Sequence, residues 1–234
     1  ADDYISDDAI PTVMPLLKDG RYDMLMFAFN WISPDGHVDV KHCQGEYASG
    51  LEMADHDVYN NSLWTRIYRR SVITDNGIRF RKLQMGEDFD VIFHTIPYIG
   101  RCLCIDKPLY NYVVSPGSAI TSRKWAHVIR SSDDSLTCID GCFDFLKRWN
   151  REEQRKLRKP LNFFLMGYLF SIYVEPFSLK YKLEAMQRLK HAGVFPIKPL
   201  PVNPRHRRFS RIINIMPLRY LSIIADVALL KIKG

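Results

Sequence analysis

Apolar residues recur with two different periods along this chain, and the change of period divides it. Met24 to Ile32 is a nearly unbroken apolar run of strand length, as expected of a strand buried on both faces. Ser33-Pro34-Asp35-Gly36 carries turn chemistry and His37 to His42 alternates, so the two stretches predict a hairpin. Upstream, Ser6 or Asp7 is placed to cap a helix through Ala9, Val13, Leu16 and Leu17, with Pro11 in its first turn and Gly20 at its end. Within residues 60–74, Leu63, Trp64, Ile67, Tyr68 and Val72 fall at helical spacing. Asn61 or Ser62 is the expected cap and Asn76-Gly77 the stop, which predicts a helix with one buried stripe. Ile78-Arg79-Phe80 reads as a short extended stretch ahead of an amphipathic run, Phe89 to Ile99. Cys102 to Ile105 and Leu109 to Val114 read as strand segments around Asp106-Lys107-Pro108. Strands and helices are therefore interspersed up to about residue 115, which predicts an α/β or α+β layer structure.

Past Ser118 the period becomes helical: Trp125 to Ile129, Ser135 to Trp149, Leu161 to Val174 and Leu179 to His191. Leu161 to Val174 is uncharged for 14 residues, short of the roughly 20 that cross a bilayer, so it reads as a core or interfacial helix. Prolines 196, 199, 201 and 204 make the stretch from Gly193 a linker or extended arm. An apolar segment follows Arg205-His206-Arg207-Arg208 and is interrupted by Arg211, Pro217, Arg219 and Asp226. The predicted organisation is thus a layered domain over 1–124, a helical extension over 125–192 and a linker with a basic amphipathic tail over 193–234.

Charge sharpens that division. The net charge of +7 conceals 16 Lys/Arg against 21 Asp/Glu up to residue 150, and 17 against 5 from residue 151 onward. The basic C-terminal part suits an anionic membrane surface, on which an amphipathic segment lies flat; a helix packed on the preceding domain shows the same pattern. With 47% hydrophobic and 25% charged residues, a globally disordered chain is excluded. Five cysteines with no C-x-x-C pair read as reduced, buried thiols, although Cys102 with Cys104 and Cys138 with Cys142 have spacings compatible with a Cys₄ metal site. Ala-Asp-Asp-Tyr-Ile-Ser-Asp-Asp is no signal peptide, and its abrupt opening predicts a fragment whose upstream part is missing.

Candidate chemistry centres on two acidic pairs. Glu87 and Asp88 follow Gly86 at a helix start, and Asp2 and Asp3 sit at a strand end. One pair suits a divalent cation, Mg or Mn, bound with a nucleotide diphosphate; the other suits a base that deprotonates an acceptor hydroxyl. Carboxylates in a first helical turn are also favoured by the helix dipole alone, and Asp2 and Asp3 by capping or solvation. Trp64, Tyr68, Tyr110 and Tyr112 are aromatic positions suited to stacking on a sugar or to the core. Ser118, Thr121, Arg123 and Lys124 form a polar loop that either holds a diphosphate leaving group or is a solvated connection.

Six strings then resemble one family in order and spacing. Ala1-Asp2-Asp3-Tyr4 looks like the tail of the Asp-x-Asp-Asp motif of family 2 glycosyltransferases with the GT-A fold. Leu63 to Arg70 with Asn76 to Phe80, Gly86-Glu87-Asp88, Asp106 to Tyr112, and Gly117 to Thr121 continue the series. The resemblance covers about residues 1–124 and implies the C-terminal, acceptor-side part of a Rossmann-like GT-A domain, lacking the N-terminal nucleotide-binding half. It further implies transfer of a sugar from a nucleotide-diphosphate sugar to a hydroxyl on a polysaccharide or lipid-linked glycan, at the cytoplasmic face of the membrane. By carry-over, Asp2 and Asp3 belong to the metal motif, Asp88 is the base of an inverting reaction, and Glu87 supports it or contacts the acceptor. Trp64 and Arg66 fall in the Trp-x-Lys-Leu-Tyr string and, with Ser118, Arg123 and Lys124, are its substrate-binding candidates. Arg66 replaces the usual Lys, keeping the charge and changing the donor geometry. An isolated fragment is then expected to be inactive.

Two other classes remain. A non-catalytic scaffold recruited to membrane by its basic tail predicts lipid binding without turnover. A nucleic-acid binder using Arg205 to Arg211 ranks last, because no nucleic-acid fold signal accompanies that cluster, and no nucleic-acid partner is expected.

Overall fold

The computed structural model describes residues 2–56, 60–115, 124–198 and 204–233, with side chains described except at 204–206 and 226–233. The chain divides into two compact units, Ala1–Lys82 with Glu87–Arg130, and Leu83–Gly86 with Ser131–Gly234.

The first unit is a six-stranded mixed sheet with helices on both faces. Its centre is the parallel pair of β2 (Met24–Ile32) and β6 (Cys102–Val113). β2 is buried without interruption from Met24 to Phe29, which is why its sequence is apolar at every position. Met24 and Met26 pack with Met53, Val72, Ile99, Cys102 and Cys104 on one face, and Leu25 and Phe27 with Ala9, Val13 and Leu109 on the other. Four short strands complete the sheet, all antiparallel. β1 (Tyr4–Ile5) and β4 (Gly45–Tyr47) lie on β6, and β3 (Val38–Lys41) and β5 (Arg66–Tyr68) lie on β2.

The predicted hairpin forms as β2 and β3, closed by Gly36 at φ 82° with its N–H on the Ser33 carbonyl at 2.9 Å. Helix α1 (Ala9–Asp19) ends on Gly20 at φ 69°, as expected. Its N-cap is Asp8, however, and the Ser6 hydroxyl instead donates to the Pro108 carbonyl at 2.9 Å. The two segments predicted around Asp106-Lys107-Pro108 are one strand, with register shifts opposite Ala28 where Pro108 sits. α2 (Gly50–Asp55) follows a Ser49 N-cap.

Residues 60–74 overturn the single-helix expectation. Leu63–Thr65 is a 3-10 turn, Arg66–Tyr68 is β5, and only Arg70–Thr74 is helical, as α3. Pairing of Met24 with Tyr68 and of Leu25 with Ile67 satisfies the backbone of β2, and that tertiary demand outweighs helical spacing in a segment rich in aromatic and β-branched residues. α4 (Glu87–Thr95) is continued by a 3-10 turn at Ile96–Tyr98.

The second unit is helical. α5 (Trp125–Leu146) merges two predicted helices, because the polar residues between them include neither Gly nor Pro. α6 (Arg151–Val174) begins ten residues before its predicted start, at a capping box in which Asn150 and Glu153 bond each other's backbone amides. Leu157, Leu161, Leu165 and Leu169 form its buried stripe, so the uncharged run is core. α7 (Leu179–His191) matches its expected bounds. α8 (Pro204–Asn214) and α9 (Met216–Lys233) end the chain. All five cysteines are free thiols, four of them buried.

Candidate functional site

Asp2, Asp3, Trp64, Tyr110 and Tyr112 lie around the end of the sheet where β1 joins β6. α4 opens with Glu87, Asp88 and Asp90 in its first turn, where carboxylates complement the unpaired N–H groups of the helix. Asp88 is half-buried, and its Oδ2 accepts a hydrogen bond from the Leu63 N–H at 3.0 Å. Asp90, two residues on, turns into the protein and is forked by Arg81.

Leu63 leads directly to Trp64, whose ring is the centre of an aromatic stack. Trp64 lies parallel to Tyr112, with centroids 5.5 Å apart and planes at 3°, and stacks on Tyr110 at 4.4 Å and 24°. Phe29 meets it edge-on at 4.7 Å, and Trp31 packs on Tyr112 at 4.7 Å. Tyr110 and Tyr112 are two apart on β6 and so share a face, which gives Trp64 a continuous platform. Tyr68 faces the other cluster, with the core around Met24 and Met26.

The stack in turn reaches the amino-terminal acids. Tyr110 donates its hydroxyl to Asp3 Oδ2 at 3.0 Å, and the Val113 N–H donates to Asp3 Oδ1 at 2.9 Å. Burial, and then the adjoining Asp3 carboxylate, push the Tyr110 phenol up to about 12. The Tyr112 phenol is also raised, by burial first and then by Asp3. Asp2 is exposed and accepts from the Ser115 hydroxyl, which holds its carboxyl below the ordinary range. A continuous series of contacts therefore runs from Asp88 through Leu63, Trp64 and Tyr110 to Asp3.

The fold has counterparts among solved structures. The chain shares its fold with S. aureus TarS. Against TarS 1-349 in complex with UDP-GlcNAc the TM-score is 0.65 at 17% identity, covering 97% of this chain and 63% of that one. TarS 1-349 in complex with UDP gives 0.61 at 18%, and TarS itself gives 0.54 at 21%, where 38% of that chain is covered. This chain thus spans less than two thirds of the length of the TarS chains it matches. No family model and no curated protein matches it. The α/β fold class expected from the sequence is the one found, and it is the TarS fold over 97% of the chain.

Arg66 is placed differently from a surface cation. It is 7% exposed, and its guanidinium donates to the carbonyls of Asn60 at 2.8 Å and Ser62 at 2.6 Å and to the Thr65 hydroxyl at 3.2 Å, while Nε is buried with no partner among the described residues. It therefore braces the loop that delivers Leu63 and Trp64. Lys124 is exposed immediately before α5. Ser118, Thr121 and Arg123 lie outside the described residues.

Several participants went unnoticed in the sequence. Ser115 holds Asp2, and the Leu63 amide holds Asp88. Asn111, between the two stacked tyrosines, accepts from Asn30 Nδ2 at 2.8 Å and donates to the Ser6 hydroxyl at 3.3 Å. Two asparagines in the apolar strand runs were a usable signal, since a polar side chain there needs a partner.

Proposed function

We propose that the polypeptide carrying this chain transfers a sugar, with inversion, from a nucleotide-diphosphate sugar to a hydroxyl of a polysaccharide or lipid-linked glycan. The observation that carries this reading is the fold, shared over 97% of the chain with a protein crystallised with UDP-GlcNAc. The motif series of family 2 glycosyltransferases supports it, because its acidic and aromatic members meet in the contact series from Asp88 to Asp3.

Asp88 is the base in this proposal. One of its oxygens is oriented by the Leu63 amide, and a carboxylate so fixed can accept the acceptor's hydroxyl proton on a remaining lone pair. As the O–H bond breaks, the acceptor oxygen attacks the anomeric carbon. The bond from that carbon to the diphosphate oxygen breaks on the opposite side, and the nucleotide diphosphate leaves with the electron pair. Glu87, beside the base, supports it or contacts the acceptor. The Trp64 stack supplies an apolar wall for a sugar ring.

Asp2 and Asp3 are the proposed holders of a divalent cation, Mg or Mn. Their donor set fits, since hard cations take carboxylate and phosphate oxygens. Asp2 is exposed and readily ionised, whereas Asp3 is oriented by two protein donors. When bound, such a cation neutralises charge on the leaving diphosphate. Ser118, Arg123 and Lys124 are proposed to bind that diphosphate, and Arg66 to act through the loop it braces. Peripheral attachment to an anionic membrane surface on the cytoplasmic side completes the reading; among the described residues no helix is long and apolar enough to cross a membrane.

The test is UDP release from UDP-GlcNAc by the whole polypeptide that carries this chain, in the presence of membrane-derived glycan acceptors, with Mg or Mn supplied. Asp88→Asn is expected to lower turnover roughly 10² to 10⁴-fold, the usual range for removing a general base, while UDP-GlcNAc affinity is retained. Turnover by Asp88→Asn at the parent rate would exclude the assigned base. Vesicle binding with neither UDP-GlcNAc binding nor turnover would favour the scaffold alternative.

A further inference from the structure

We propose that the outward face of α8 and α9 is a docking surface for an anionic lipid bilayer, on which Arg207, Arg208 and Arg211 meet the headgroups while Leu218, Leu221 and Ile224 enter the boundary with the acyl chains. This rests on, and gives residues to, the peripheral membrane attachment proposed above.

A helix packed on a soluble protein normally turns apolar residues inward and charges outward. In its described part, α9 departs from that rule at its cation and at three apolar positions. Arg219 and Ile223 are buried, at 4% and 0% exposure, whereas Leu218, Leu221 and Ile224 are 42%, 59% and 48% exposed. Three-residue spacing keeps those three on one broad side of the helix. The inward cation is accounted for locally: Arg219 Nε donates to the Ile213 carbonyl at 2.6 Å, and its guanidinium lies 3.4 Å from the centroid of the Phe195 ring. Its burial therefore leaves the outward face of α9 without that charge.

Among the described side chains of these two helices, the cations that face solvent belong to α8. Arg207, Arg208 and Arg211 are exposed, and the apolar exposure resumes directly after them at Ile212, Ile215 and Met216. Exposed cations followed directly along the chain by exposed apolar residues are the pairing that anionic lipid rewards, through headgroup attraction and apolar burial together. Charge also argues against a second copy of this chain as the occupant, because residues 151–234 carry 17 basic against 5 acidic groups and two such faces repel. A nucleic acid would use the arginines and leave the Leu and Ile band unanswered.

The experiment is co-sedimentation of the protein with vesicles of phosphatidylcholine alone and of phosphatidylcholine with phosphatidylglycerol, without nucleotide sugar. Binding to the anionic vesicles, weakened by salt, is expected. The triple variant R207A/R208A/R211A is expected to lower the partition coefficient about a hundredfold. Leu221→Asp is expected to lower it by about tenfold or more, because one exposed leucine no longer enters the bilayer; Leu221→Ser gives the smaller fall should the charged variant not fold. No binding to anionic vesicles, or parent-like binding by both sets of variants, would overturn the proposal. So would a dimer in the parent that Leu221→Asp dissociates while vesicle binding is unchanged, which assigns the face to a second copy. Asp88→Asn binding vesicles like the parent, whatever its turnover, supports the surface independently of the sugar-transfer reading.

Discussion

Arg81→Met should open α4 far more often than any surface substitution would. Asp90 has a side chain only 4% exposed and is held by a guanidinium fork, with Arg81 Nε at 2.8 Å from Oδ2 and a second guanidinium nitrogen on Oδ1. His94, one turn along, places Nδ1 3.4 Å from the same Oδ1 and 2.7 Å from the Asp90 carbonyl. Methionine keeps the length of the stem and removes both bonds of the fork, leaving a buried carboxylate short of a partner. Breaking a buried pair in this one-sided way costs about 3–5 kcal/mol. Because the Arg81 side chain is 36% exposed, water reaches part of the vacated volume, and the lower end, about 3 kcal/mol, applies. In native-state hydrogen exchange, α4 amides that open with their surroundings should therefore exchange on the order of 100-fold faster. Adding Asp90→Asn to Arg81→Met removes the stranded charge and should restore part of the protection, at least about 1 kcal/mol. An Arg81→Met protein whose α4 amides stay within about 0.5 kcal/mol of the parent would refute a net role for the fork.

Two further outcomes follow from the same sheet. Tyr110, raised to about 12 from an ordinary value of 10.0, holds its proton more tightly in the folded state. Its contribution to stability is fully present below pH 10 and is lost as the pH rises through about 12. An ultraviolet titration of the parent minus Tyr110→Phe should isolate one phenol ionising near 12; a difference curve centred near 10 would mean that Asp3 and burial do not act on it. Gly50→Ala should lower stability by about 1–3 kcal/mol, read as a fall in the thermal midpoint. A Cβ there meets the Ile96 carbonyl oxygen and comes within 2.9 Å of Ile99 Cβ, while the Gly50 N–H is held on the Ile99 carbonyl at 2.9 Å. An unchanged midpoint would show that the α2 start yields freely.

What could be read from the sequence was what neighbours in the chain decide. β2 and α7 declare their bounds through an unbroken apolar run and a capped, periodic one. α6 concealed its first ten residues because Pro160 looks like a helix start, whereas the Asn150–Glu153 capping box sets the true one and the helix carries the proline in its interior. Residues 60–74 misled for a different reason. Their spacing is helical, but β2 leaves one edge to be paired, and Arg66–Tyr68 pairs with it. Arg66 illustrates the same limit at the site: the sequence shows its charge, and only the fold shows that its donors bind carbonyls of its own loop.

For the candidate site the division is sharper still. Glu87 and Asp88 announce themselves at a helix start, but the Leu63 amide that orients Asp88 lies 25 residues away, and the Tyr110 hydroxyl that orients Asp3 lies 107 away. Those partners exist only because β1 meets β6 in one register, with Tyr4 opposite Asn111 and Ile5 opposite Tyr110. A slip of one residue would exchange the faces of the sheet and carry Asp3 away from the Tyr110 hydroxyl. Asn111 helps to fix that register, since it bonds the Ser6 hydroxyl at the end of β1 and the Asn30 amide on β2. The residues that carry the proposed chemistry are thus set by local sequence, while the placement of Asp3 depends on a strand register that Asn111, outside the proposed chemistry, helps to fix.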